Sequence, residues 1–178
     1  GKTIIFDNLT LESIANLGLD LYSIQGRPFN DTNKARYINR FSSGFSLAAS
    51  QQQFLNSDSA NIILQPKIQI SSMFSSDKYD DIPNRDSSGY RIDEANLFLN
   101  NQYQGRDNIQ KNSKINAGLY TLIMTEDFGD YNFFIGQSKR LSGSEENIIS
   151  ADNERKSSII NYIDWNMKDN LHVAWFSL

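Results

Sequence analysis

From Ile62 to Phe74 the chain alternates between apolar and polar residues with a period of two. Ile62, Leu64, Pro66, Ile68, Ile70 and Phe74 fall on one face, and Ile63, Gln65, Lys67, Gln69 and Ser71 on the other. Successive side chains of a strand point to opposite faces, so this run predicts a strand with one apolar face and one wet face. It is far longer than the usual strand of about 5 to 6 residues. Pro66 lacks an amide hydrogen and predicts a bulge or a locally unpaired spot.

The same pattern recurs. From Lys111 to Thr125, the residues Ile115, Ala117, Leu119, Thr121 and Ile123 share a face opposite Asn112, Lys114 and Asn116. The turn Asp127-Phe128-Gly129-Asp130 follows, and Tyr131 to Leu141 reads as the return strand of a hairpin. Leu17, Leu19 and Leu21 alternate with Asn16, Asp20 and Tyr22, and Phe41, Phe45, Leu47 and Ala49 with Arg40, Ser42 and Ser46. Ile159, Ile163, Trp165 and Met167 alternate with Ser158, Asp164 and Asn166. Lys168 to Asn170 then turn into a last strand carrying Leu171, Val173 and Trp175. Thr3 to Leu11 reads as a further single strand.

The connections are unequal. Those near Asp127 and Lys168 are tight; those at Gly26 to Lys34, Ser76 to Asn96 and Ser142 to Asn153 are long and polar. Long alternating strands joined by short turns and long loops in succession are the pattern of a transmembrane β-barrel. The expected fold is therefore all-β: antiparallel strands of a transmembrane β-barrel, a partial barrel of about eight to nine strands filling residues 1–178 as one unit, with a long polar loop over 76–110. A soluble antiparallel β-sandwich that binds a glycan or a protein explains the alternation equally well. Phe41, Phe74, Tyr131, Trp165 and Trp175 lie toward strand ends, where they suit interfacial girdles or a sheet core.

Composition closes other routes. The 17 basic and 21 acidic residues are scattered, with net charge −4 and no basic stripe, so nucleic acid is not an expected partner. There is no cysteine, which removes disulfides, thiolate zinc sites and thiol catalysis, and His172 is the single histidine. The acidic group Asp77, Asp80, Asp81 and Asp86 does not match calcium-loop spacing, and the adjacent Glu145 and Glu146 read as a solvated loop. No catalytic constellation, metal site or cofactor is expected. The chain starts with Gly1 and no signal pattern, and it ends within a predicted strand. It is expected to be a piece of a larger barrel, unable to act as a transporter alone because two open edges would face lipid.

The polar segment Ile82 to Ile109 carries the most specific wording. Ile82-Pro83-Asn84-Arg85-Asp86-Ser87, then Asn101-Gln102-Tyr103-Gln104-Gly105-Arg106-Asp107, then Gly136-Gln137-Ser138 with Arg140-Leu141, resemble in order and spacing the LptD family of lipopolysaccharide-assembly outer-membrane proteins. Gln102 and Asn108 depart from the arginines usual there. The resemblance implies a C-terminal barrel portion of an outer-membrane translocon that receives lipopolysaccharide and inserts it into the outer leaflet. It also implies a plug lipoprotein, periplasmic transport components and outer-membrane lipid as partners. Asn84, Asp86, Asn101, Gly105, Arg106 and Asp107 are then expected to pin the loop or contact the plug. Lys139 and Arg140 would either meet lipid phosphates or merely end their strand with charge. Replacing Asp86 or Asp107 by Ala is expected to impair barrel assembly or plug docking in the full-length protein. Outer-membrane permeability measures this, and an intact barrier in both variants removes that role.

Overall fold

In the computed structural model the described residues are 1–24, 36–76, 82, 92–101, 105, 107–143, 159–166 and 172–177. They build nine strands: β1 Lys2–Phe6, β2 Leu9–Ile24, β3 Arg36–Gln51, β4 Gln53–Asn56, β5 Ala60–Ser75, β6 Asn112–Thr125, β7 Gly129–Gly143, β8 Ile160–Asn166 and β9 His172–Ser177. All pair antiparallel in one open sheet of order β1-β2-β3-β5-β6-β7-β8-β9, with β4 also on β5. With β4 counted as the continuation of β3, each strand lies beside its neighbour in sequence, so successive connections fall at alternate ends. The tight ones at 7–8, 57–59 and 126–128 share one end with the point where β8 stops at Asn166 and β9 starts at His172, and the long ones after Ile24, Ser75 and Gly143 share the other. The interiors of the loops expected at Gly26 to Lys34 and Ser142 to Asn153, and the turn at Lys168 to Asn170, lie outside the described residues.

The single strand expected from Thr3 to Leu11 is instead a hairpin. Phe6 pairs with Leu9 around Asp7-Asn8, and Asp7 takes φ +47°. Aspartate tolerates the left-handed region better than most residues, which suits it to so tight a turn.

β3 and β4 form one long strand broken at Gln52. Ser50 pairs with Lys67 and Gln53 with Leu64, so the register against β5 is unchanged across the gap. The missing rungs face Gln65 and Pro66, and the Gln52 amide turns instead to the Asn8 carbonyl at 2.8 Å. Pro66 thus produces the expected unpaired spot on one side. On the other side it stays in register with Leu119, and the bulge sits between Ser113 and Lys114.

The faces of this sheet invert the usual order. On β3, Arg40, Ser42, Ser46 and Ser50 are buried while Phe41, Phe45 and Leu47 are exposed. On β5, Gln69, Ser71 and Ser75 are buried while Ile68, Ile70 and Phe74 are exposed. Leu17, Leu19 and Leu21 of β2 are each more than 70% exposed. The polar face, here the inner face, is covered by the described residues of the β5–β6 connection between 92 and 110; the apolar outer face is covered by nothing among the described residues. Of the aromatics at strand ends, Phe41, Phe74 and Trp175 are exposed, and Tyr131 and Trp165 half-buried, so none belongs to a core.

The β6–β7 turn is fixed locally. Thr125 Oγ1 accepts the Phe128 amide at 3.1 Å and donates to the Gly129 carbonyl at 2.8 Å, while Gly129 takes φ +88°. Trp165 stacks on Tyr131 at 5.2 Å and donates its indole N–H to the Phe128 carbonyl at 3.0 Å. Trp165→Phe keeps an aromatic ring there and removes the hydrogen bond. The expected loss is about 0.5–1.5 kcal/mol, read as a lower urea midpoint with an unchanged slope.

Candidate functional site on the inner face

Residues 92–101, 105 and 107–110 lie over the polar face as a strap whose own turns come from its sequence. Asp93 Oδ1 accepts the amides of Ala95 and Asn96, each at 3.0 Å, and Asn96 Oδ1 accepts the Asp93 amide at 3.0 Å. Such side-chain caps are the usual work of Asp and Asn in turns. Further on, Asn101 Oδ1 accepts the Gln110 amide at 3.1 Å, closing the strap's second half. Gly105 takes φ +83°, a left-handed conformation that glycine adopts without strain.

Strand side chains hold the strap by its carbonyls. Arg40 of β3 is 1% exposed and donates through Nη1 to the Asp107 carbonyl at 2.6 Å. Its Nε and Nη2 grip Asp20 Oδ2 on β2 at 2.9 and 2.7 Å, and its guanidinium lies 5.2 Å from the Tyr22 ring centroid. Lys114 of β6, 2% exposed, donates to the Leu99 carbonyl at 2.8 Å and to Gln110 Oε1 at 3.4 Å. Gln69 of β5 donates to the Phe98 carbonyl at 2.9 Å, and Tyr120 of β6 to the Glu94 carbonyl at 3.2 Å. A relay stands behind Gln69: Ser138 Oγ donates to Asn116 Oδ1 at 2.7 Å, and Asn116 Nδ2 donates to Gln69 Oε1 at 2.8 Å. Buried polar groups cost free energy unless bonded, and these donors are satisfied by a segment far along the chain.

Apolar packing sets the position. Leu97, Phe134 and Ile160 are almost fully buried together, with Ile92, Phe98, Tyr120 and Tyr162 against them. Gly118 and Gly136 face each other across β6 and β7. A Cβ on Gly136 would stand 2.6 Å from Leu97 Cδ2, and one on Gly118 would stand 3.1 Å from Phe98 Cζ. The glycine pair is therefore the socket that admits the strap. Toward the short-turn end the strap stops, and the inner face opens into a cavity of about 340 Å³ lined by Ile63, Gln65, Leu122, Asn132 and Tyr162, with Glu94 at its edge.

Of the residues expected to pin the loop, Asn101, Gly105 and Asp107 lie in the strap, and Asn101 and the Asp107 carbonyl bind as just described. Asn84, Asp86 and Arg106 lie outside the described residues, as do the acidic group at 77–86 and Glu145 and Glu146. Lys139 and Arg140 are separated by strand alternation. Lys139 is exposed on the outer face beside Ile115, and Arg140 is in register with Lys114 on the inner side. The sequence reading passed over Arg40, Asp20, Gln69, Lys114, Asn116 and Ser138 as ordinary wet-face residues. Their signal was chemical: arginine, lysine and amides, not short hydroxyls alone, on one strand face. Among the described residues no cluster of histidine or carboxylate side chains could hold a metal ion.

A family model described as LptD, LPS transport system D, matches residues 9–174, nearly the whole chain. No curated protein matches it.

Gly136→Val fills the socket. Hydrogen exchange at residues 92–110 is expected to accelerate while the β3–β5 ladder stays protected; unchanged strap protection would show that the socket does not position it. Arg40→Ala removes the grip on the Asp107 carbonyl and strands Asp20 beside a buried site. It is expected to destabilise by about 3–5 kcal/mol, less whatever water recovers at half-exposed Asp20, in chemical denaturation.

Proposed function

This chain belongs to the LptD family, and we propose that it forms part of the wall of an outer-membrane β-barrel through which lipopolysaccharide reaches the outer leaflet. The family works in lipopolysaccharide transport and assembly. The observation that carries the finer reading is the inverted polarity of the sheet. An exposed apolar face that includes Leu17, Leu19, Leu21, Phe45, Leu47 and Ile70 is a large patch for a protein surrounded by water. In a bilayer it is the ordinary lipid face.

The strands also suit that setting. A tilted strand needs about 9–11 residues to cross the hydrocarbon, and β2, β3 and β5 each have 16. The open edges at β1 and β9 would pair with further strands in a closed barrel, since lipid leaves no partner for bare backbone groups. Tight turns then face the periplasm and long loops the exterior. A soluble sandwich would need a second layer over Leu19 and Phe45, and these side chains are exposed.

In this reading the inner face is the lumen wall, and the segment of residues 92–101 and 107–110 over it is a lumenal strap. The amphipathic cavity beside Tyr162 at the short-turn end is where a plug lipoprotein would insert an element, and periplasmic transport components would deliver lipid from the same side. Carriage across this wall needs wet and apolar surfaces in the right places, not a nucleophile or a cofactor.

Ile70→Arg tests the assignment. On a lipid face it should cost about 2–4 kcal/mol for folding of the full-length protein into phosphatidylcholine vesicles, measured by equilibrium unfolding. Folding of the wild-type chain as a monomer in plain buffer, with no detergent or lipid, would sink the membrane reading.

A further inference from the structure

On the outer face one row runs straight across the wall. Ala49 pairs with Ile68, Ile68 with Ala117, and Ala117 with Gln137. Between this row and the neighbouring one through Pro66, Leu119 and Ile135 lies an apolar trough of about 650 Å³, low where Ala49, Pro66 and Ala117 bring little bulk and flanked by Ile68 and Ile135. It reaches from Leu9 on β2 to Ile159 beside β8. Across six strands that is about 24 Å, a shape for an extended hydrocarbon chain and not for a compact ligand.

A cation stands beside this trough. Lys139 follows Gln137 by two positions on the same face of β7, about 7 Å further along. It ends an outer-face row of apolar partners, Leu47, Ile70 and Ile115, which pair in turn. Among the described residues no carboxylate lies on this face beside it. Lys139 is also nearer the long-loop end, whereas Arg140 turns to the other face.

We propose that trough and lysine form a boundary-lipid site: an acyl chain lies in the groove over Ala49 and Ala117, and a headgroup phosphate meets the Lys139 ammonium. This rests on the membrane-wall reading. It commits to the acylated, phosphorylated moiety of lipopolysaccharide, the phosphate-bearing lipid of the long-loop leaflet in that reading, held against the outside of the wall and apart from any molecule in transit. A lysine can lay its methylene stem along apolar surface while its ammonium reaches a headgroup. An attraction of this kind is the one that draws basic side chains to anionic lipid.

The test uses the full-length protein in phosphatidylcholine vesicles containing a minor fraction of lipopolysaccharide. After isolation in detergent, retained lipopolysaccharide is measured by fatty-acid and phosphate analysis. Lys139→Gln should lower retention about fivefold, and Ala117→Leu, which fills the trough, should lower it comparably. Arg140→Gln should leave it unchanged. Protease protection in the vesicles reports insertion of each variant. Normal insertion with undiminished retention in both Lys139→Gln and Ala117→Leu overturns this site alone. Equal loss in Arg140→Gln overturns it too, as does equal retention of phosphatidylglycerol offered in place of lipopolysaccharide. Failure of the wild-type protein to insert overturns the wall assignment, and this site with it.

Discussion

Polar side chains withdrawn from water must find partners, and that requirement organises this molecule. The inner face of the sheet carries Arg40, Gln69, Lys114, Asn116 and Ser138, all nearly inaccessible. Strand backbone groups are already used on each other, so Arg40, Gln69 and Lys114 donate to carbonyls of the strap, while Ser138 and Asn116 are bonded in the relay behind Gln69. The strap is therefore a structural partner of the sheet, as necessary to its buried donors as a second sheet is to an apolar face.

The strap in turn ties strands together. Its anchors come from β3, β5 and β6, while Leu97 packs against Phe134 of β7 and Ile160 of β8. Sliding one strand past its neighbour would break several of these contacts at once. Among the described residues nothing places such a constraint on the outer face. Its side chains are shaped for whatever surrounds the wall, and the two faces of one strand, such as Gln69 beside Ile70, obey opposite rules.

Much of this was legible in sequence. The period-two runs over Ile62–Phe74 and Ile115–Ile123 identified strands and faces, and the turn at Asp127–Asp130 the hairpin of β6 with β7, because alternation is a direct consequence of strand geometry. Pro66 announced the gap in the ladder. The first strand was misread because Asp7-Asn8 is so short a turn that apolar residues on either side run together. The strap's docking was harder to see. Its contacts are made by backbone carbonyls, which every residue carries, so the loop's own letters do not say which strand holds them. The glycine socket was invisible for a related reason: Gly118 and Gly136 become neighbours only through the β6–β7 register. Asn101 and Asp107 lie in the strap, where Asn101 Oδ1 accepts the Gln110 amide and Asp107 meets Arg40 by its carbonyl rather than its carboxylate.

Recognition through carbonyls has an evolutionary consequence. At Leu99, where the side chain is exposed while its carbonyl binds Lys114, the letter is free to drift as long as the backbone path is kept. The strand donors have no such latitude, since a changed side chain at Arg40 or Lys114 removes the bond itself. Variation among relatives should therefore concentrate on the strap residues whose side chains point away from the sheet, while the strand side chains that hold its carbonyls stay fixed.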